Sequence, residues 1–272
     1  MAKYQLKNKK IVLTGASSGI GKALAVMLVD KFNCTVYGIG RNEQKLQEVK
    51  NSLNNKDNFF YEVFDVSSLS SWQNFANKLE KSDFYPDILI NNAGYLLKFA
   101  KAENHSVLDA ESITKTNYFA CVYSFNALLP LLKNSTSPAI INVSSSAALA
   151  PVVGTAYYTA SKCAVKGFTE VLAQDYKHFY VCLVMPGFTK TNIFINQKDD
   201  KKSQKLIDKI CTPVDKAVKK CVKKITKRKK RIIIGFDAKM MNFFYKLFPN
   251  LTANAIRRVL KKSNLQLFED VF

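Results

Sequence analysis

I-V-L-T-G-A-S-S-G-I-G-K-A-L-A-V-M-L-V, from Ile11 to Val29, decides the fold. The β-branched run Ile11 to Gly15 reads as a buried strand, T-G-A-S-S-G-I-G as a tight turn, and Lys22 to Val29 as a helix. Strand, glycine turn and helix in that order form the context in which a glycine motif holds a dinucleotide. The glycines let the backbone approach a pyrophosphate, and the N–H groups at the positive end of the helix hold it. Gly15, Ser17, Ser18, Gly19, Ile20 and Gly21 are therefore candidate cofactor contacts.

Working outward, strand and helix patterns alternate. Strands are expected at Cys34 to Ile39, Phe59 to Val66, Asp87 to Gly94, Ala139 to Ser145, Val181 to Met185 and Arg231 to Phe236. Helices are expected at Glu43 to Leu53, around Trp72 to Leu79, along Ser106 to Leu132, at Tyr157 to Tyr176 and, capped by Thr212 with Pro213 at its first position, as far as Ile225. D-I-L-I-N-N-A-G carries an all-apolar strand that closes on two asparagines, as a strand buried on both faces of a parallel sheet would. The alternation predicts an α/β fold of the doubly wound Rossmann type, with ligands bound beyond the carboxyl ends of the strands.

Those strand ends carry the candidate residues. The second is followed by Gly40, Arg41 and Asn42, with no acid to accept from a ribose 2′-hydroxyl, so Arg41 favours NADP over NAD. Asp65 is placed to meet an adenine edge and Val66 to pack on its ring. Asn117 lies inside a helical pattern among Phe119, Cys121, Val122 and Phe125, where a polar, mediocre helix former conflicts with its surroundings. In Ser144 to Lys162, Tyr158 and Lys162 stand four apart, on one face of a helix. A phenol ionises near pH ~10, and it works as an acid or base at neutral pH when a neighbouring cation stabilises the phenolate. Lys162 can supply that charge, and Ser145, thirteen residues before Tyr158, can hydrogen-bond the oxygen being protonated. By itself the Tyr/Lys pair is also an ordinary helix-face pattern.

The motifs together resemble the short-chain dehydrogenase/reductase family: T-G-A-S-S-G-I-G, F-D-V, N-N-A-G, Asn117 in T-N-Y-F, N-V-S-S with Ser145, Tyr158 with Lys162, and P-G-F-T-K-T, spanning residues 10 to 191. The resemblance implies a sheet of seven parallel strands with helices on both faces. It also implies a catalytic tetrad of Asn117, Ser145, Tyr158 and Lys162, in which Tyr158 passes a proton to a carbonyl oxygen held by Ser145. Lys162 would bind the nicotinamide ribose and lower the tyrosine pKa, and Asn117 would anchor a water of a proton relay. Asn92, Ala93 and Gly94 would wall the cofactor, and Pro186, Gly187, Thr189 and Thr191 would meet its carboxamide or phosphates. Tyr157, five residues before Lys162, is assigned to the substrate wall together with Phe188 and Phe194. The expected activity is NADPH-dependent reduction of an apolar or lipid-like ketone, 3-oxoacyl or steroid-like. An NAD(P)-dependent alcohol dehydrogenase working toward oxidation, or a NADP-sensing binding protein, are the alternatives. The family commonly forms homodimers or homotetramers.

Composition bounds the rest. Residues 1–236 are expected to form the catalytic domain and 237–272 a helical appendage of the same domain, packed on or near the substrate pocket. Met1 to Lys10 holds no apolar core of a secretory signal, and no stretch reaches the ~18 apolar residues of a membrane span. The six cysteines lack metal-ligand spacing and read as reduced residues of a cytoplasmic protein. The net charge is +20, and Lys198 to Arg231 alone carries fifteen Lys or Arg against four Asp. A solvated face is the first reading of that patch, anionic lipid the second and nucleic acid the third, so no nucleic-acid partner is expected. The tail around Pro249 mixes aromatic and basic residues, which suits peripheral membrane contact, a lid or a subunit contact.

Overall fold

The computed structural model describes residues 3–191 and 211–272. Seven strands, all parallel, form one sheet in the order β3-β2-β1-β4-β5-β6-β7. They are β1 (Lys10–Thr14), β2 (Thr35–Gly40), β3 (Phe59–Val63), β4 (Ile88–Asn91), β5 (Ala139–Val143), β6 (Tyr180–Pro186) and β7 (Arg231–Ile234). The central strands are buried from end to end, as in a sheet covered on both faces. Side-chain alternation divides them between two cores. Ile11 and Leu13 of β1 point to one face and Val12 to the other, and Ile88 and Ile90 of β4 oppose Leu89 in the same way.

Helices α1 (Gly19–Phe32) and α7 (Val214–Thr226) cover the first face. On α7 Ala217, Val218, Cys221, Val222 and Ile225 are buried, and most of its lysines remain at the surface. The second face lies under α3 (Leu69–Lys81), α5 (Ala120–Leu132) and α6 (Ala156–Asp175), while α2 (Glu43–Asn51) follows β2. The strand order turns back between β1 and β4, which opens a crevice beyond their carboxyl ends, the place where such sheets bind ligands. No helix among the described residues is long and apolar enough to cross a membrane.

Three expectations change in detail. The single helix expected over Ser106 to Leu132 is instead α4 (Val107–Thr114), a π turn over Lys115–Phe119, and α5. Thr212 does not cap α7; its backbone pairs with Phe188 and Thr189, so the helix starts one residue later, at Val214 after Pro213. Strands β3 and β4 end before F-D-V and N-A-G, leaving those residues in loops.

The appendage comprises α8 (Phe236–Leu247), α9 (Pro249–Ser263) and a closing segment through Val271. That segment returns to the body, where Leu265, Leu267, Phe268 and Val271 pack with Leu96, Phe99, Ile113 and Tyr158.

Candidate active site

A cavity of about 390 Å3 opens beyond the strand ends. Gly15, Ser18, Gly19 and Ile20 line it from the turn before α1, Asn92, Ala93 and Gly94 from the end of β4, and Pro186, Gly187, Thr189 and Thr191 from the end of β6. Thr14 fixes the middle of this rim: its Oγ1 accepts from the N–H of both Asn92 and Ala93 at 2.9 Å, and its carbonyl accepts from Asn92 Nδ2 at 3.0 Å. Gly21 is needed for packing rather than for contact with a ligand. A Cβ there would stand 2.0 Å from the Gly15 carbonyl oxygen, so only glycine lets α1 lie this close to the turn.

The turn fits a phosphate. Ser18 precedes α1 in extended backbone without a side-chain cap, and the first helical turn holds no acid. The positive helix end therefore faces the cavity with no carboxylate of its own first turn in front of it. At the adenosine side Arg41 lines the cavity with Lys45, a residue sequence reasoning missed, four positions on at the start of α2. Arg41 is exposed and sits 3.8 Å from Asp65 Oδ2. Asp65 lies in an adjoining cavity of about 520 Å3, with its other oxygen accepting from the Ser67 amide at 2.9 Å and hydroxyl at 2.7 Å.

At the other end stand the tetrad residues. Tyr158, Lys162 and Ser145 all line the cavity, brought together because α6 runs beside the end of β5. Lys162 is buried; its Nζ donates to the Val143 carbonyl at 3.1 Å and lies 5.9 Å from the centre of the Tyr158 ring. The neighbouring Ser144 also borders the cavity, but its hydroxyl is engaged in donating to the Lys162 carbonyl at 2.7 Å. Asn117 is buried in the π turn, not on the cavity wall. Its Oδ1 accepts from the Tyr95 amide at 2.9 Å, and its Nδ2 donates to the Tyr95 carbonyl and to Ser161 Oγ, both at 3.0 Å. The extra residue of a π turn resolves the conflict noted in the sequence, because it swings a polar side chain inward from a helix whose regular pattern would bury apolar ones. Gly94 completes the cluster: a Cβ there would come 2.9 Å from Asn117 Oδ1 and 3.0 Å from Lys162 Nζ.

Burial controls the electrostatics. It pushes the Tyr158 phenol above its ordinary value, opposed by a hydrogen bond with Ser145. Burial also pulls the Lys162 ammonium down, to about 8, with Cys121 opposing weakly. The expectation that Lys162 draws the phenol downward is thus corrected for this arrangement. Both groups are enclosed, burial disfavours the charged form of each, and the phenol is held in its protonated form.

Some expected contacts lie elsewhere. Val66 is in the core beside Trp72, its carbonyl accepting from the indole N–H at 2.9 Å. Ser17 faces Gly40 rather than the cavity. Tyr157, one step round α6 from Tyr158, points to Ala102 and to the ring of His105 instead of the cavity wall. Phe188 does line the cavity, and Phe194 lies outside the described residues. A further residue the sequence did not single out is Asp237, in the first turn of α8. Its Oδ2 accepts from the Phe188 amide at 2.7 Å and so holds the loop after β6, with Gly187 packed against its carboxylate.

A nucleotide-sized crevice at the turning point of a parallel sheet, with a glycine turn at one end and a buried tyrosine and lysine at the other, defines a dinucleotide-dependent oxidoreductase. The family model for short chain dehydrogenase matches residues 9–202, and the chain belongs to that family of NAD(P)-dependent oxidoreductases. It is 30% identical over 200 residues to the NADP-dependent 3-hydroxy acid dehydrogenase YdfG of Escherichia coli K12, covering 72% of this chain and 79% of that protein. Among solved structures, a short chain dehydrogenase from Burkholderia cenocepacia in complex with NADP superposes with TM-score 0.77 at 22% identity, covering 93% of this chain and 99% of the other. One from Burkholderia phymatum in complex with NAD gives 0.80 at 19% identity, covering 92% and 97%. At these identities the two structures speak for the fold alone.

Proposed function

We propose that the protein is an NADPH-dependent reductase of an apolar carbonyl compound, with Tyr158 as proton donor. The observation that carries this reading is the cavity end itself: a buried phenol held protonated, beside Ser145 and four residues from the buried Lys162. Bound NADPH supplies the hydride. Ser145 holds the carbonyl oxygen, and Tyr158 gives it the proton. Lys162 then restores the phenol's proton, a role supported by an ammonium already drawn down to about 8. Asn117 positions the loop at Tyr95 that faces Lys162 across Gly94.

The preference for NADPH rests on Arg41 and Lys45, two cations at the adenosine end, and is in keeping with the NADP-dependent relative. An apolar substrate is supported by Leu96, Phe99, Val152 and Phe188 along the cavity beyond Ser145. A homodimer or homotetramer is supported by Val107, Leu108 and Phe119, exposed along α4 and the π turn. A cytoplasmic setting is supported by cysteines scattered along the chain without metal-ligand spacing, as reduced core residues are.

Two measurements test the reading. Turnover of a screened apolar ketone falls about 10²- to 10⁴-fold in Tyr158→Phe and stays within a few-fold of the parent in Tyr157→Phe; the reverse ordering sinks the assignment. Fluorescence titration gives tighter binding of NADPH than of NADH, a preference that Arg41→Ala with Lys45→Ala abolishes. Tighter NADH binding by the parent protein overturns the cofactor assignment.

A further inference from the structure

Helix α8 is built inside out. Its one buried residue is Ala238. On the opposite side Phe236, Met240, Phe243 and Leu247 recur at i, i+4, i+7 and i+11 as a continuous stripe, and Phe236 is 78%, Phe243 57% and Leu247 56% exposed. Phe244 widens the stripe, while Phe248 and Leu251 extend it into the start of α9, which has no buried residue at all. A helix of a globular domain normally turns such a stripe toward the core, and contiguous exposed apolar surface of this kind marks an interaction site.

The surroundings are basic. Lys239 and Lys246, seven residues apart, flank the stripe on one side, and Arg257, Arg258, Lys261 and Lys262 crowd the last turns of α9. The lysine face of α7 adjoins α8, since Lys239 lies near enough to Lys224 for its charge to act on that ammonium. An apolar ridge framed by cations, with Asp237 at the anchored end as the only acid of either helix, matches a surface that is apolar within and anionic at its edge.

We infer that α8 and α9 form an interfacial docking element, which lays the Phe236, Phe243 and Leu247 ridge into the headgroup region of an anionic phospholipid membrane while its Lys and Arg residues engage the lipid phosphates. The element is monotopic; neither helix is of spanning length and apolarity. It is also tied to the cavity, because Asp237 bonds the Phe188 amide at the cavity wall and the segment after α9 packs behind Tyr158. Docking thus sets the cavity beside the bilayer surface. The inference does not depend on the reaction catalysed.

Vesicle co-sedimentation of the full chain tests it, with phosphatidylcholine vesicles containing about 30% phosphatidylserine against phosphatidylcholine alone. The protein is expected to pellet with the anionic vesicles and to be released in part by high salt. Phe243→Gln with Leu247→Gln lowers the partition coefficient at least about tenfold, because two large apolar side chains no longer leave water. Lys239→Gln with Lys246→Gln lowers it roughly fivefold per charge. All four positions are at the surface and do not line the cavity, so the melting temperature without vesicles should match the parent's and reports intact folding. Absence of pelleting at moderate salt, or equal pelleting of the Phe243/Leu247 variant, overturns the inference. So does a parent protein that ignores vesicles but is a dimer which the same variant dissolves, for then a second copy covers the ridge.

Discussion

Replacing Lys162 by Met should stabilise the protein at neutral pH while removing its activity. The ammonium is buried and titrates at about 8 in the folded chain, against an ordinary value of 10.5. A lysine depressed on folding binds fewer protons in the native than in the unfolded state. Its charge therefore costs stability in full below the folded value, and the cost fades as pH rises from about 8 to about 10.5. At 1.36 kcal/mol per unit, the cost is about 3 kcal/mol at pH 7 and falls by about 2 kcal/mol by pH ~9.5. Methionine is similar in length and carries no charge, but it leaves the Val143 carbonyl without the 3.1 Å bond from Nζ, a loss of about 1 kcal/mol. Lys162→Met should thus be more stable than the parent by about 2 kcal/mol at pH 7 and nearly equal to it at pH ~9.5. Cys121, pushed up to about 11 by burial, stays neutral throughout this window. Urea unfolding of both proteins at the two pH values provides the comparison, and subtracting one from the other cancels the titration of the remaining cysteines and tyrosines. A variant less stable than the parent at pH 7, or a difference that does not shrink with pH, would refute the argument that burial is what depresses this lysine.

Gly94→Ala should lower turnover about ten- to a hundredfold with little change in melting temperature. Its methyl would stand 2.9 Å from Asn117 Oδ1 and 3.0 Å from Lys162 Nζ, and it displaces both by a fraction of an ångström; steady-state kinetics beside a thermal scan makes the check. Asn142→Ala should cost about 2–4 kcal/mol in urea unfolding. Asn142 accepts from Asn91 Nδ2 and donates to Thr169 Oγ1, both at 2.9 Å, and its loss strands the buried Asn91 amide and breaks the link from β4 to α6, although the Thr169 hydroxyl keeps its bond to the Val165 carbonyl.

The sheet was legible because its signals are local and periodic. Ile11 to Leu13 and Ile88 to Ile90 are β-branched or apolar runs closed by a turn, and residues at strand ends fall near one another whatever the loops do. Tyr158, Lys162 and Ser145 were legible for the same reason, being fixed by a strand end and one helical turn. What escaped depends on side-chain rotation and distant pairing. Tyr157 and Tyr158 are neighbours in sequence, yet a step of about 100° around α6 sends one to His105 and the other to the cavity. The π turn at Asn117 showed only as a misfit polar residue, since its hydrogen bonds go to Tyr95 and Ser161, 22 and 44 positions away. Asp237 gave no signal, because the Phe188 amide it holds is 49 residues distant.

The packing of Leu265, Leu267, Phe268 and Val271 behind Tyr158 has a consequence for biosynthesis. A chain emerging from the ribosome can close β1 to β7 and seat the glycine turn while residues 265–271 are still being made, because every strand among the described residues precedes Phe236. The apolar packing around Tyr158 begins with Leu96, Phe99 and Ile113 and is completed by residues 265–271. On the proposed reading, the dinucleotide crevice is thus complete before the wall behind Tyr158 is, and residues 265–271 govern when that end of the cavity acquires its shape.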